Sequence, residues 1–323
     1  MQNTIDPFSK NKTFNLKPET LNYLYLIRYP NLIFIALAQI FIKQGLFEPL
    51  GVETTLNTFG SVLLVLATLC IAAAGNIIND IYDVEIDKIN KPHKVLIGKK
   101  IPERKASRLF IILNVIGVAI GFYLANSIGK PGFAALFVVF SALLYLYASY
   151  LKGMLLIGNI LVSALVAMSL IIVALFDLLP AITAENQTAQ SAIFKIVLHY
   201  ALFAFFINFI REIVKDLQDI NGDKKGGMNT LSIALGRKRT TTIVFFLGVF
   251  IVLGVVLYMY EHLYDQQVLL LYFLFAIVAP LLYFCVKSWD AETPKEYGFL
   301  SKLLKIIMLL GICSIPLFGF VIS

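Results

Sequence analysis

Two runs of carboxylates carry the densest chemistry in this 323-residue chain. The first, NIINDIYDVEID, places Asn76, Asn79, Asp80, Asp83 and Asp87 in twelve residues, and the second, REIVKDLQDINGD, carries Glu212, Asp216, Asp219 and Asp223. Asp80, Asp83 and Asp87 recur as Asp216, Asp219 and Asp223 at a constant offset of 136 positions, so D-x2-D-x3-D occurs twice. At about 100° per residue, each triplet spans a sector of about 60° on one helix face. Carboxylates crowded in this way repel, and at a helix C-terminus they also oppose the macrodipole. A divalent cation shared with an anionic ligand resolves the repulsion. Mg²⁺ suits that role, because it binds through one or two carboxylates, water and substrate phosphates. Solvated helix ends would account for one such run but not for two with identical spacing. The helical spacing also differs from the alternating loop of an EF-hand.

Each run is followed by glycines and bases: Asn90, Pro92, His93, Lys94 and Gly98 after the first, and Gly222, Lys224, Lys225, Gly226 and Gly227 in and after the second. Basic loops beside a metal site suit a diphosphate that must be gripped and released. Lys94, Arg211 and Lys215 are the candidates for that grip.

The elements that position these residues follow from composition. The chain is 59% hydrophobic and 15% charged, with a mean hydropathy of +0.82. A soluble domain carries about 25% charged residues, and 27 Lys+Arg with 20 Asp+Glu are too few to cover a globule of this size. An integral, multi-pass membrane protein is expected. Nine segments approach the about 20 apolar residues of a crossing: 22–42, 59–80, 106–126, 131–150, 155–176, 192–213, 241–260, 267–286 and 303–322. Pro30 is expected to divide the first, leaving Asn31 in need of a partner inside the bundle. Lys and Arg gather in alternate loops, with Lys88 to Lys105, Lys152, Arg211 to Arg239 and Lys287 to Lys302 on one side, while 44–58, 177–191 and 261–266 have none. The positive-inside rule then puts the N-terminus in the cytoplasm and the C-terminus outside. The fold expectation is all-α, with a polar segment 1–21, one membrane domain 22–323, and cytoplasmic loops 81–105 and 211–240 bearing the two acidic motifs.

The net charge of +7 is absorbed by this topology, so no nucleic-acid partner is expected, nor an obligate protein partner. Residues 1–20 show no secretory signal. Cys70, Cys285 and Cys313 fall in apolar runs and form no disulfide framework, and the scattered His93, His199 and His262 do not suggest zinc.

With these motifs in place, the chain resembles the UbiA superfamily of intramembrane prenyltransferases. The first run is similar to that family's N-x3-D-x3-D motif, carried here by Asn79, Asp83 and Asp87, with Asp80 completing an Asn-Asp pair. The second is similar to its D-x3-D motif, carried by Asp219 and Asp223 after Lys215-Asp216. The REIVKDLQDINGD run with Thr230-Leu231, and YASYLKG (Tyr147–Gly153) with Gly158-Asn159, resemble the branch that prenylates glyceryl phosphates in ether-lipid synthesis. Two departures stand out: Lys94-Val95 replaces an Arg-Pro pair, and Arg28-Tyr29-Pro30 replaces a tighter one. Lysine keeps the charge but lacks the bidentate fork.

The resemblance implies nine helices around a central, lipid-open cavity and transfer of a polyprenyl group, geranylgeranyl in that branch, from its diphosphate to a lipid hydroxyl. It implies one Mg²⁺ on Asp83 and Asp87 and another on Asp219 and Asp223, with Asn79, Asp80 and Asp216 orienting the ligands. Tyr147 would lie near the allylic cation and Lys152 toward the diphosphate. An aromatic acceptor in quinone synthesis would use the same site, whereas an ion-coupled transporter would place its acids near the bilayer midplane. The membrane would be the plasma (inner) membrane in a prokaryote.

Overall fold

Hydrocarbon offers no partners to a backbone, so runs of this composition must close their hydrogen bonds within each crossing, as helices do. The computed structural model describes residues 18–322 and is all-α, apart from an isolated bridge between Ile97 and Ile101. Its helices are α1 (Pro18–Leu26), α2 (Tyr29–Ile42), α3 (Thr58–Tyr82), α4 (Val84–Asn90), α5 (Glu103–Ser127), α6 (Ala134–Ser149), α7 (Ile157–Asp177), α8 (Gln187–Lys225), α9 (Leu231–Leu235), α10 (Arg237–His262), α11 (Gln267–Tyr272), α12 (Ala279–Trp289) and α13 (Pro294–Ile322). A π-helical turn, Lys43–Phe47, extends α2, and another, Phe273–Val278, joins α11 to α12. Nine helical stretches among the described residues are long and apolar enough to cross a membrane. The central ones are α3 and α7: half of the apolar window containing α7 is buried, against 11% for that containing α6. The outward faces carry residues such as Phe246, Phe250 and Leu253, which suit contact with lipid tails.

The boundaries shift where charge is buried. The first crossing divides as expected, but at Arg28, whose backbone is left-handed (φ 54°, ψ 51°); Pro30 sits in the first turn of α2, where its missing N–H costs nothing. Asn31 has its interior partner, its Oδ1 accepting from Lys305 Nζ at 2.8 Å. Helix α1 runs across the expected boundary at residue 21, and residues 1–17 of the polar segment lie outside those described. The second acidic run does not lie in a loop. Helix α8 continues for 39 residues to Lys225, because Glu212 and Asp223 are buried against neighbouring elements rather than released to water. The first run is less regular: α3 ends at Tyr82, Asp83 occupies a turn (φ −88°, ψ −2°), and α4 follows. The bonds Asp83 N–H to Asn79 O (3.0 Å) and Asp87 N–H to Asp83 O (2.8 Å) keep the helical register across that turn.

At the far end of the bundle from the acids, Lys43 is buried in the π turn and donates to Asp177 Oδ1 (2.8 Å) and to the Leu56 carbonyl (2.9 Å). The Leu56 N–H donates to the same carboxylate oxygen at 3.0 Å. Asp177 thus neutralises a base on the side whose loops carry almost none, and ties α2, the 48–57 connection and α7 together. Side-chain exposures of 9% and 1% make this pair costly to break. Lys43→Met, which strands the carboxylate, is expected to lower the unfolding free energy by about 3–5 kcal/mol. Lys43→Met/Asp177→Leu should recover much of that loss in thermal unfolding of the detergent-purified protein. A Lys43→Met variant as stable as the parent would show that this pair does not hold α2, the 48–57 connection and α7 together.

Candidate active site

Helices α3, α4 and α8 bring their carboxylates to one end of a central cavity of about 840 Å³. All twelve residues singled out from the sequence line it: Asn79, Asp80, Asp83, Asp87, Lys94, Tyr147, Lys152, Arg211, Lys215, Asp216, Asp219 and Asp223. Further in, its wall is apolar, with Ile71, Phe137, Leu144, Val166 and Ile172. One end can therefore receive charge and the rest a hydrocarbon chain.

The carboxylates form two facing banks cross-linked by lysines and amides. Lys91, at the end of α4, is ion-paired with Asp219 of α8, and Lys152, in the α6–α7 connection, is paired with Asp83. The Asn90 side chain spans the same gap: its Oδ1 accepts from the Gly222 N–H at 2.8 Å, and its Nδ2 faces Asp223 Oδ1 at 3.4 Å. Within the first bank, Asn79 Nδ2 donates to Asp83 Oδ2 at 2.7 Å. In the second, Asp216 accepts from Asn159 Nδ2 of α7 at 2.9 Å. Arg28 closes the cavity from the break between α1 and α2, with its guanidinium 2.6 Å from Asp80 Oδ1.

The turns that aim these groups are tightly specified. Lys152 lies on a short 3-10 turn just before α7, where Leu156 is left-handed (φ 59°) and Gly158 passes so close that a Cβ would stand 2.6 Å from Lys152 Cα. At Gly222 a Cβ would stand 2.4 Å from Asn90 Nδ2, so a side chain there would displace the amide that joins α4 to α8.

Burial changes the protonation chemistry at the mouth. Burial pushes the Asp87 carboxyl above the usual carboxylate range, with Asp80 and Asp219 adding to that against the pull of Lys91. Burial brings the Lys152 ammonium down to about 8, although Asp223 and Asp80 favour its charge. Burial also works against charge on Arg28, but Asp80, with Tyr147 and Glu212, holds it above its ordinary value.

Among the described residues, no three or more His, Cys, Asp or Glu side chains converge as a ready-made metal cage. The donor set is instead two banks of hard carboxylate oxygens: Asp83 and Asp87 across from Asp219 and Asp223. Among the described residues, only Lys91 and Lys152 form ion pairs with these four acids. That surplus of negative charge fits Mg²⁺ bound through a few carboxylates and completed by water and phosphate. Lys94 is exposed at the rim, while Arg211 and Lys215 bond not to these banks but to Glu212, at 3.3 Å and 2.8 Å.

Arg28, Asn90 and Lys91 joined the site without having been assigned roles from the sequence. Arg28 carried a signal, as a charge within the first apolar crossing. Lys91 carried none that separated it from the other basic loop residues. The histidines differ from their scattered reading: the His199 and His262 rings lie 5.2 Å apart, with Tyr258 beside both, yet no third metal-ligating group joins them among the described residues. Cys70 and Cys285 are buried free thiols, and Cys313 is free and exposed.

A bundle of membrane-length helices whose apolar cavity opens at one end onto two acidic banks suits an amphiphile with a charged head. The model of the UbiA prenyltransferase family matches residues 32–304, and the chain belongs to that family of prenyltransferases. It is 35% identical over 287 residues to the digeranylgeranylglyceryl phosphate synthase of Korarchaeum cryptofilum, covering 85% of this chain and 93% of that protein. It is 29% identical over 300 residues to the synthase of the same name from Methanococcoides burtonii, covering 90% and 97%. A solved structure concerned with the biosynthesis of digeranylgeranylglyceryl phosphate synthase in membranes matches with a TM-score of 0.61 at 25% identity, over 94% of this chain and 99% of that one. A UbiA homologue from Archaeoglobus fulgidus, bound to DMAPP and Mg²⁺, shares the fold at a TM-score of 0.56 and 18% identity, over 91% and 99%.

Gly222→Ala should displace the Asn90 amide and loosen the α4–α8 contact that sets the first bank against the second. Prenyl transfer is expected to fall on the order of 100-fold, as for angstrom-scale misplacement of reacting groups. Assay of the purified variant alongside its melting temperature checks this, and retention of full activity would show that the Asn90 contact does not set the site.

Proposed function

We propose that this enzyme transfers a geranylgeranyl group from its diphosphate to the hydroxyl of a prenylglyceryl phosphate in ether-lipid synthesis, and that it requires Mg²⁺. The observation that carries the reading is the pair of facing carboxylate banks at the charged end of an otherwise apolar cavity. The names of the relatives support the glyceryl phosphate acceptor.

In this reading residues 22–323 act as one domain whose basic loops face the cytoplasm. Asp83 and Asp87 hold one Mg²⁺, and Asp219 and Asp223 hold a second. When bound, Mg²⁺ supplies the positive charge that makes the diphosphate a good leaving group. Asn79 orients the ligating Asp83 through its hydrogen bond, while Asp80 and Asp216, held by Arg28 and Asn159, complete the acidic shell around the ligands. Lys91 and Lys152 keep the banks together and, with Lys94, face the diphosphate oxygens.

The bond between C1 of the prenyl group and the diphosphate oxygen breaks, with its electron pair going to the diphosphate. The acceptor oxygen then bonds to C1, and its proton passes to an oxygen of the released diphosphate. The Tyr147 ring stabilises the allylic cation between these events, and the apolar wall excludes water that would otherwise capture it. Fixed charges in a water-poor cavity supply most of the rate enhancement.

Purified protein given labelled geranylgeranyl diphosphate, Mg²⁺ and acceptors should form a diprenyl glyceryl phosphate and no prenylated aromatic product. EDTA should abolish the reaction, with excess Mg²⁺ restoring it. Asp83→Asn and Asp219→Asn should each reduce turnover at least 100-fold, beyond the roughly 10- to 100-fold typical of residues behind a metal ligand. Full activity in either variant would overturn the metal assignments. Preference for an aromatic acceptor would overturn the substrate.

A further inference from the structure

The cavity holds a second charged region, cationic rather than acidic. Among its bases, Arg28 is committed to Asp80, Lys91 to Asp219 and Lys152 to Asp83. Arg211 and Lys215, one turn apart on α8, share a single carboxylate, Glu212, at 3.3 Å and at 2.8 and 3.0 Å. On α13, Lys305 lies within electrostatic reach of Arg211 but donates to neutral Asn31, a cavity-lining residue, and stands 4.9 Å from the centre of the Phe34 ring. Three cations therefore gather around Glu212, with Asp216 as the one further carboxylate within electrostatic reach of Lys215, where the bundle is drying out. The Arg211 Nε is buried without any hydrogen-bond partner. An unpaired buried donor on a charged group is costly, and so is an uncompensated excess of buried charge.

We propose that Arg211, Lys215 and Lys305 form the binding site for the phosphate monoester of the acceptor lipid, separate from the donor diphosphate. This rests on the glyceryl phosphate reading above and names where that substrate's head is held. A phosphate would give the orphaned Arg211 Nε an acceptor, completing the guanidinium fork, and would offset the positive charge that Glu212 and Asp216 leave over. The spacing fits the reaction. Arg211 and Lys215 lie eight and four residues before Asp219, about 12 and 6 Å along α8. The free hydroxyl of a glyceryl phosphate is only one or two carbons removed from its phosphate ester, a reach of about one helical turn at standard bond lengths. Holding the phosphate here brings that hydroxyl up to C1 of a prenyl group whose diphosphate lies at the carboxylate banks. Arg211 and Lys215 thereby pass from the expected donor grip to acceptor selection.

The test compares geranylgeranylglyceryl phosphate with its dephosphorylated alcohol, using the purified full chain and its Arg211→Gln, Lys305→Gln and Arg211→Lys variants. Loss of a charged hydrogen bond predicts a roughly 10- to 100-fold rise in acceptor KM for Arg211→Gln and Lys305→Gln, with the donor KM unchanged. The preference for the phosphorylated acceptor over the alcohol should collapse, and Arg211→Lys should retain part of it. Equilibrium binding of labelled geranylgeranylglyceryl phosphate without donor or Mg²⁺ should weaken in Arg211→Gln and persist in Asp83→Asn, which separates this role from catalysis and from misfolding. A rise in donor KM with acceptor KM unchanged would overturn the inference and leave the proposed reaction standing. A parent protein that neither binds nor prenylates the lipid phosphate would overturn both.

Discussion

Six aspartates facing one another at the edge of a hydrocarbon slab constrain the rest of this molecule. Like charges in a poorly solvated cavity repel strongly and gain little from water. The structure meets that constraint with cations supplied by segments remote in sequence: Lys91 for Asp219, Lys152 for Asp83 and Arg28 for Asp80. The pairs do not saturate the acids, and the remainder is a standing demand for positive charge at one end of the cavity. The demand is local, because bonds to Asn79, Asn90 and Asn159 fix how individual carboxylates present their oxygens.

Much of the surrounding backbone is arranged for these contacts. The break before α2 puts Arg28 at the mouth in a left-handed conformation that a non-glycine residue adopts only at a cost. The tight turn ahead of α7 brings Lys152 over the first bank, and the bare backbone at Gly222 admits Asn90. The bundle's opposite end is organised by the same logic at smaller scale, where Lys43 and Asp177 satisfy each other and the backbone of Leu56. Between these charged ends, α3 and α7 supply an apolar interior, and the more peripheral helices present their side chains to lipid.

The fold was legible because its signal is compositional and repeated: nine apolar runs, separated by loops whose bases alternate, define the crossings without knowledge of how they pack. The acidic motifs were legible because two copies share one spacing. Their local forms were not. One copy lies on an unbroken α8 and the other bends at Asp83, since burial against α4 prolongs the first helix while the second must turn to deliver Asn90 and Lys91. The partners of Arg28 and Lys91 lie 52 and 128 residues away, a separation that carries no periodicity to read. The histidines show the same limit, since His199 and His262 meet only because α8 and α10 pass side by side.

The sequence by itself determined the solvent this chain lives in, the number of its apolar crossings, the alternation of its basic loops and the two acidic motifs, because each follows from residue type at short range. Only the tertiary structure decided which base answers which acid. It decided that Arg211 and Lys215 turn away from the carboxylate banks toward Glu212, and that Lys305 reaches Asn31 from the far end of the chain. Such pairings are settled by helix packing, which brings distant side chains within a few ångströms and leaves each charge the partner that geometry allows.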